Sequence, residues 1–585
     1  MNRPNPTLRS DIACLLVIVF SGLLAYANHL DNPFQFDSVR FLTENRMFAD
    51  PAQLLTWEFW KAEYTSRSGL FWTFGLNAAL HGMSPFGFHL VNLAFHLMNA
   101  VLLFLITGAA LEYFGWEGTG NERRGVSLFT ALLFTLHPIQ TESVAYVMSR
   151  SELVAGWFYL TGFYFFQRQL AQGNTHSSAA WVRVTLLTGL ILVLGYSIKP
   201  TIATLPAVMT LYFLLGKNAD DPLILSLRRR ALWLTGALLI AVSLLAAKLI
   251  SDPYFLAGTP AAVEQIGRQT YCLTQPWVVV FYYLKLLLFP FNLNIDPDIA
   301  PVTSWASPRF WASLLVIGSL LTAAWKRGRT RLPFFGLAWF FIVLAPSSSF
   351  VTLLDMAAEH RVYLAAWGFF LFITLALLNV VRRVSKNPGK RRTLAGTAAL
   401  ALLIGCAGLT VQRNAVWSDE LVLWHDALAK SPNKVRALVN LGHAYTLRNE
   451  VDRAIEYYER SLQQNGHYFQ TYYNVAVLYL EKGQVDRAFE HFKIAANIDP
   501  TVPDVFGRLG DIYMQRQQWK EADAHLRRAV ELNPGYAAAF RSLGILHYFY
   551  LKDPKTGAAF LKRSLFLNPG QPDADKMRLL ISRVP

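Results

Sequence analysis

Up to about residue 411 the chain is a succession of apolar stretches, each roughly 15–25 residues long, separated by short polar loops. Hydrocarbon offers no partner to backbone N–H and C=O groups, so such stretches must close their hydrogen bonds internally as helices. After that point the sequence turns alternating, charged, and rich in Tyr and Ala. Only 16% of the 585 residues are charged and 53% are hydrophobic. An ordinary soluble globule, with about a quarter of its residues charged, is excluded. The expectation is an all-α protein with a polytopic membrane bundle of about eleven spans over residues 1–411. A connecting segment, 412–430, leads to a water-soluble domain, 431–585.

The expected spans are Ile12–Asn28, Phe86–Leu111, Val126–Leu136, Leu153–Phe166, Val182–Ile198, Thr201–Leu215, Ala231–Ile250, Phe310–Trp325, Pro333–Phe350, Val362–Val381 and Leu394–Val411. The net charge of +15 invites a nucleic-acid reading, but within the spans' region the cations cluster in alternate short loops. These loops hold Arg123 and Arg124, Arg168 and Arg183, Lys217 with Arg228 to Arg230, Lys326 to Arg331, and Arg382 to Arg392. That is a membrane-orientation pattern. It places those loops and the N-terminus in the cytoplasm. Asn28–Pro85, His137–Arg150, Ser251–Ser307, Val351–His360 and the C-terminal domain then lie outside. Pro276–Pro290 is apolar enough to span, but a crossing there inverts the basic loops that follow, so it is read as re-entrant or interfacial. A cleaved signal peptide ending at Ala25-Tyr26-Ala27 is an alternative for the first span and leaves the sidedness of the rest unchanged. Three cysteines make no disulfide scaffold.

From Ser431 the sequence repeats every 34 residues. Gly442, Ala476, Gly510 and Gly544 share one register, and Ala454, Ala488 and Ala522 a second, with Gly557 one residue late. These are tetratricopeptide repeats, about four of them, with Ala415–Lys430 as the expected cap. Each repeat is a helix pair that buries its small-residue face only by stacking on its neighbours, which creates a groove. The groove suits an extended polypeptide; assembly with another subunit is the plainer alternative.

Polar residues at membrane depth mark sites or interhelical contacts. His89, Asn92, His96 and Asn99 fall on one helical face, where interhelical hydrogen bonding is the expected role. Asp37 follows Pro33-Phe34-Gln35-Phe36 in the first external loop. Aromatic cover there is expected to desolvate the carboxylate and raise its basicity, as a general base requires. His137 and Glu142, with Arg150, form a second dense external segment. Glu359, His360 and Arg361 form a third, in which the Arg361 fork suits a lipid phosphate. The plainer alternatives are a solvated capping acid for Asp37 and an interfacial anchor for Arg361.

Several blocks carry a family resemblance: NPFQFDSVRFLTEN, GFHLVNLAFHLMNAVL, LLFTLHPIQTESVAYVMSRSELVAG, SIKPTIATLP, YYLKLLLFPFNLNID and EHRVYL. In order and content they resemble the transmembrane and tetratricopeptide repeat-containing O-mannosyltransferases and their bacterial relatives, of the glycosyltransferase-C superfamily. The resemblance implies an enzyme that takes a sugar from a polyprenyl-phosphate carrier on the non-cytoplasmic face. It implies Asp37 as the catalytic base and Arg361 as a ligand of the carrier phosphate, with His360 and Arg150 as further phosphate ligands. Glu142, His137, Glu359 and His89 are supporting residues. Where eukaryotic relatives often carry adjacent acids, this chain has Asp37-Ser38, and Glu142 is the candidate second carboxylate. The expected chemistry is inverting transfer to Ser or Thr of a polypeptide held by the repeats, with no cofactor required; a divalent ion on Asp37 and Glu142 is the metal-assisted variant. The competing readings are the same chemistry on a lipid or envelope-glycan acceptor, and a non-enzymatic membrane scaffold or transporter.

Overall fold

A computed structural model describes residues 6–43, 56, 67–172, 178–216, 266–327, 330–349, 351–385, 387–464 and 468–584. The expected span Ala231–Ile250 and the cations Arg46, Lys61, Lys217, Arg228, Arg229, Arg230, Arg329 and Lys386 lie outside these residues. Among the described residues the chain is helical, with no strand, and it divides into two compact units, Met1–Asp426 and Ala427–Pro585.

The first unit is built from α1 (Pro6–Tyr26), α2 (Ser68–His81), α3 (Pro85–Tyr113), α4 (Gly120–Leu136), α5 (Arg150–Ala171), α6 (Ser178–Tyr196) and α7 (Leu205–Leu215). Then come α8, which starts as Arg268–Trp277 and runs on through a π-helical turn to Leu288, α9 (Pro308–Arg327), α10 (Leu332–Leu344), α11 (Ala366–Val384) and α12 (Pro388–Val416). α13 (Glu420–Lys430) follows. The helix starts are chemically marked. Thr119 and Glu122 form a reciprocal capping box at α4, Asn387 caps α12, and Pro85 occupies the first turn of α3.

Five of these helices are long and apolar enough to cross a membrane: Arg9–His29, Pro85–Tyr113, Arg268–Leu288, Ala366–Val384 and Pro388–Val416. The outer faces of α1 and α12 carry exposed Leu16, Phe20 and Ile404, an arrangement suited to lipid and not to water. The chain is an integral membrane protein. Ten of the expected spans coincide with helices, and two elements differ from expectation. α2 lies in what reads as a long loop. The segment expected to be re-entrant begins earlier, at Arg268, and its 21 residues suffice by length to cross. Its hydrogen bonds, however, tie Tyr271, Gln275, Tyr282 and Tyr283 to Ser347, Met356, Ala358, Glu359 and Asn294, and Thr274 to the Val302 N–H.

The antiparallel bundle has two chemically distinct ends. At one, Asp11 pairs with Arg124 (2.7 Å), and Arg382 and Arg391 approach Glu122 at 3.9 and 3.7 Å. The loops that contain Asp37, Glu142 and His360 lie at the opposite ends of the same helices. α10 and α11 cross where Gly336 faces Gly368, and a Cβ on Gly368 would stand 2.2 Å from the Gly336 carbonyl oxygen. Close backbone approach of this kind drives helix association in lipid. Gly368→Ala is expected to destabilise the bundle by about 1–3 kcal/mol, because the opposing atom is backbone and cannot rotate away. The measurement is the thermal midpoint in detergent, and an unchanged midpoint would show that the crossing tolerates separation.

The second unit stacks helix pairs: α14 (Val435–Leu447) with α15 (Val451–Gln464), α16 (Phe469–Glu481) with α17 (Val485–Ile498), α18 (Pro503–Gln515) with α19 (Trp519–Leu532), and α20 (Ala537–Ile545) with α21 (Pro554–Leu567). α22 (Ala574–Ser582) closes the stack. The repeat register has a steric cause. The Tyr458 ring lies 2.8 Å from the place a Cβ on Gly442 would take, and Ala454, Ala488 and Ala522 are fully buried.

Candidate functional site

The polar face of α3 ties the site to the bundle. His89 Nε2 bonds the Asn32 carbonyl (2.9 Å), and Asn92 donates to Val144 O (3.3 Å). His96 Nδ1 and Asn99 Nδ2 both reach the Tyr363 hydroxyl, at 3.0 and 3.1 Å. One helix face thus fixes the loop after α1, the 137–150 segment and the turn before α11, which is the interhelical role expected of it.

Asp37 opens a short helical segment that runs to Thr43. Phe36 adopts a left-handed φ of 56° and packs its ring on Trp424 and Tyr146, with centroids 4.5 and 5.8 Å apart. An aromatic residue in that conformation is strained by about 1–3 kcal/mol and persists only when packing over-determines it. The aromatic cover therefore falls on Phe36. Asp37 itself is exposed among the described residues, not desolvated as its neighbours suggest. Its carboxylate lies within electrostatic reach of the Tyr146 phenol. Burial, reinforced by the charges of Asp37 and Glu142, holds that phenol well above the usual tyrosine range, so Tyr146 stays protonated.

Glu142 stands on a helical turn, Thr141–Ala145, and is buried. Its two oxygens accept from His360, one from the backbone N–H (3.1 Å) and one from Nδ1 (2.7 Å). Arg361, half-buried, lies beside two phenols. Its Nη1 is 3.4 Å from the Tyr271 hydroxyl, and it is within electrostatic reach of Tyr283, whose oxygen accepts from the Ala358 N–H (3.1 Å). Lys199 pairs with Glu152 and is within electrostatic reach of Arg67, Arg361 and Glu142. Glu359 is buried behind this group and accepts from the Asn294 N–H at 2.5 Å.

The loops of Asp37, of Glu142 and Tyr146, and of His360 and Arg361 thus meet in one group, with Phe36 packed on Tyr146 and Glu142 bonded to His360. Contact alone puts them at the same end of the bundle, whatever the span count around α8. Two candidates are placed elsewhere. Arg150 is fully buried and donates to Asn92 Oδ1 (2.7 Å), Asn77 Oδ1 (2.7 Å), Thr73 O (3.2 Å) and Phe88 O (3.0 Å). His137 caps a turn by accepting from the Ile139 N–H (3.2 Å) and packs on Phe370. The sequence reading did not single out Tyr146, Lys199, Tyr271 or Tyr283 as site residues. Tyr146, Lys199 and Tyr283 do fall inside blocks that carry the resemblance, which was the available signal. Among the described residues no group of three or more His, Cys, Asp or Glu side chains is placed to hold a metal ion. A cavity of about 510 Å³ lies along α9, lined by Leu315, Gly318, Ser319, Thr322, Ala323 and Lys326. None of these belongs to the cluster.

The chemistry on offer is an exposed carboxylate, a carboxylate–imidazole pair and a guanidinium cradled by phenols. Together they can accept a proton from a hydroxyl and hold an oxyanion. The fold defines a membrane protein with C-terminal tetratricopeptide repeats, and models of that repeat match residues 437–466, 452–503 and 510–548. Over most of its length the chain is similar to proteins named protein O-mannosyl-transferases. Mouse TMTC4 is 26% identical over 77% of this chain and 66% of that protein. A Caenorhabditis elegans relative, F38B6.6, is 24% identical over 73% and 59%, and human TMTC1 is 25% identical over 76% and 54%. The chain therefore spans between about half and two-thirds of the length of these relatives. Among solved structures, the crystal structure of MamA is 18% identical, covers 26% of this chain and 86% of its own, and has a TM-score of 0.24.

Proposed function

We propose that this protein is a glycosyltransferase that moves a sugar from a polyprenyl-phosphate carrier to Ser or Thr hydroxyls of a polypeptide on the non-cytoplasmic face of the membrane. The observation that carries the reading is the gathering of the Asp37 and Arg361 loops around Tyr146, Glu142 and His360, with Phe36 packed on Tyr146 and Glu142 bonded to His360. It joins a proton acceptor to an anion-binding group across more than 300 residues of sequence. The basic loops gather at the opposite end, and a cytoplasmic place for them puts this junction outside. The names of the relatives make mannose the first donor to test.

In the proposed step Asp37 takes the proton of the acceptor hydroxyl as its oxygen attacks the anomeric carbon from the face opposite the phosphate. The C–O bond to phosphate breaks, its electron pair leaves with the phosphate, and the anomeric configuration inverts. The transition state carries oxocarbenium character. Arg361 holds the developing phosphate charge, since phenols occupy its known contacts and its fork suits two oxygens at once. Glu142 fixes His360 beside it. Arg150, with its donors already engaged inside the bundle, acts only on the position of α2 and α5. The repeats present the acceptor.

Purified full-length protein in liposomes, given polyprenyl-phosphate mannose and a Ser/Thr-containing peptide, is expected to yield peptide heavier by one hexose in mass spectrometry. Deleting Ser431–Pro585 is expected to leave donor binding within about twofold and to lower peptide transfer by about tenfold or more. Equal transfer by the deleted form would assign the repeats to assembly. Transfer to lipid alone would overturn the polypeptide acceptor.

A further inference from the structure

α12 is exposed along most of its length, and only its final turns are packed. Its buried residues are Leu403, Cys406, Thr410, Arg413 and Asn414, a stripe along one helical face. Those turns are also where the site loops attach. Asn414 Nδ2 donates to the Ala25 carbonyl (2.9 Å) and to Asn28 Oδ1 (3.0 Å), and Asn28 Nδ2 donates back to Val411 O (2.9 Å). Asn32 Nδ2 reaches the Asn414 carbonyl (3.2 Å), and Gln35 Nε2 reaches that of Trp417 (3.5 Å). Thr410 donates to Leu136 O (2.7 Å), at the entry to the Glu142 segment, and Tyr146 stacks on Trp417 at 5.9 Å.

Arg413 supplies the charged part of this attachment. It is 5% exposed, with Nη1 2.7 Å from Asp426 Oδ2 and Nη2 3.9 Å from Glu359 Oε2. Glu359 immediately precedes His360 and Arg361 and is itself held by the Asn294 N–H. A buried cation between two carboxylates is stable only while both stay in place, because removing either partner leaves charge uncompensated away from water. One planar fork therefore spans the segment that carries Arg361 and the segment after α12.

We propose that Arg413 is a positioning residue. By joining Glu359 to Asp426 it sets the Glu359-His360-Arg361 turn against the Asp37 loop, which hangs from the same end of α12 through Asn414 and Trp417. It acts through Glu359 and touches no reacting group. Lysine keeps the charge but lacks the fork needed to reach both carboxylates.

The test uses full-length protein in lipid nanodiscs, with Arg413→Ala, Arg413→Lys and Asp426→Asn compared with the parent. The kinetic arm rests on the transferase reading; the exchange arm does not. Amide exchange within 355–363 is expected to rise by about tenfold in Arg413→Ala and by less in Arg413→Lys, with the spans unchanged. The KM for the polyprenyl-phosphate donor is expected to rise by about tenfold in Arg413→Ala while the peptide KM stays within about twofold, and Arg413→Lys should recover only part of that loss. A merely structural role would lower the active fraction, and so the apparent kcat, without moving either KM. Unchanged exchange in 355–363 overturns the proposal, as does a fall in kcat with both KM values at parental levels. If the parent shows no transfer, a rise in exchange confined to 355–363 still supports the linkage and its absence still refutes it.

Discussion

Asp37→Asn is expected to lower the turnover of sugar transfer by about 10²–10⁴, the range lost when a general base is removed. The effect should fall on chemistry alone. Asp37 is exposed, and its carboxylate lies within electrostatic reach of the Tyr146 hydroxyl. Asparagine keeps the size and shape of the side chain, so the loop has no reason to move. The anchor of the loop is Phe36, whose ring is held by Trp424 and Tyr146, together with Asn32 and Gln35, which bond to the end of α12. None of these is touched. Thermal stability should stay within about 0.5 kcal/mol of the parent, as for surface substitutions generally. Donor binding should be preserved, because the phosphate ligand sits on a different loop. The measurement is the initial rate at saturating donor, with protein amount fixed by the folded fraction. Parental turnover would remove Asp37 from the mechanism and leave the Glu142–His360 pair as the remaining candidate for the base.

How far the site was legible in the sequence depended on whether a residue's partners were local. The apolar stretches, the 34-residue period and the polar face of α3 are periodic, so a single chain displays them without knowledge of tertiary contacts. Asp37, Glu142 and Arg361 stand out as charged residues flanking spans, and an alternating cation pattern predicts that their loops share one side. Tyr146, Tyr271 and Tyr283 carry no such mark, since a tyrosine near a membrane surface is ordinary. Only the folded structure shows one beside Asp37 and two flanking Arg361. Arg413 was hidden for a related reason. It reads as one more cation past the end of a span, and its meaning depends on Glu359 and Asp426, the first of them more than 50 residues away. α2 escaped notice because its 14 residues are too few to suggest a crossing, and what holds it in place is contact with Arg150.

That contact makes Arg150 the residue whose loss should most damage the fold. A guanidinium at the N-terminus of a helix opposes the helix dipole, so its place at the start of α5 needs compensation. No carboxylate supplies it among the bonds described. Asn92 and Asn77 turn their amide oxygens to it at 2.7 Å, the carbonyls of Thr73 and Phe88 complete the set, and the rings of Phe74 and Phe88 lie within 4.6 and 5.3 Å. Neutral acceptors aimed at a buried cation are worth more than ordinary hydrogen bonds, and each is left without its donor once the cation is gone. Arg150→Ala is therefore expected to cost about 3–5 kcal/mol through unsatisfied acceptors and the cavity left between α2, α3 and α5. Arg150→Lys keeps the charge but cannot reach four acceptors on three sides, so it should recover only part of the loss. Both variants should show a lower thermal midpoint in detergent, and the donor affinity of the folded fraction should be unchanged. The opposite result, a parental midpoint with weakened binding of polyprenyl phosphate, would return Arg150 to the phosphate site. It would also require the guanidinium to leave Asn77 and Asn92 when the donor arrives.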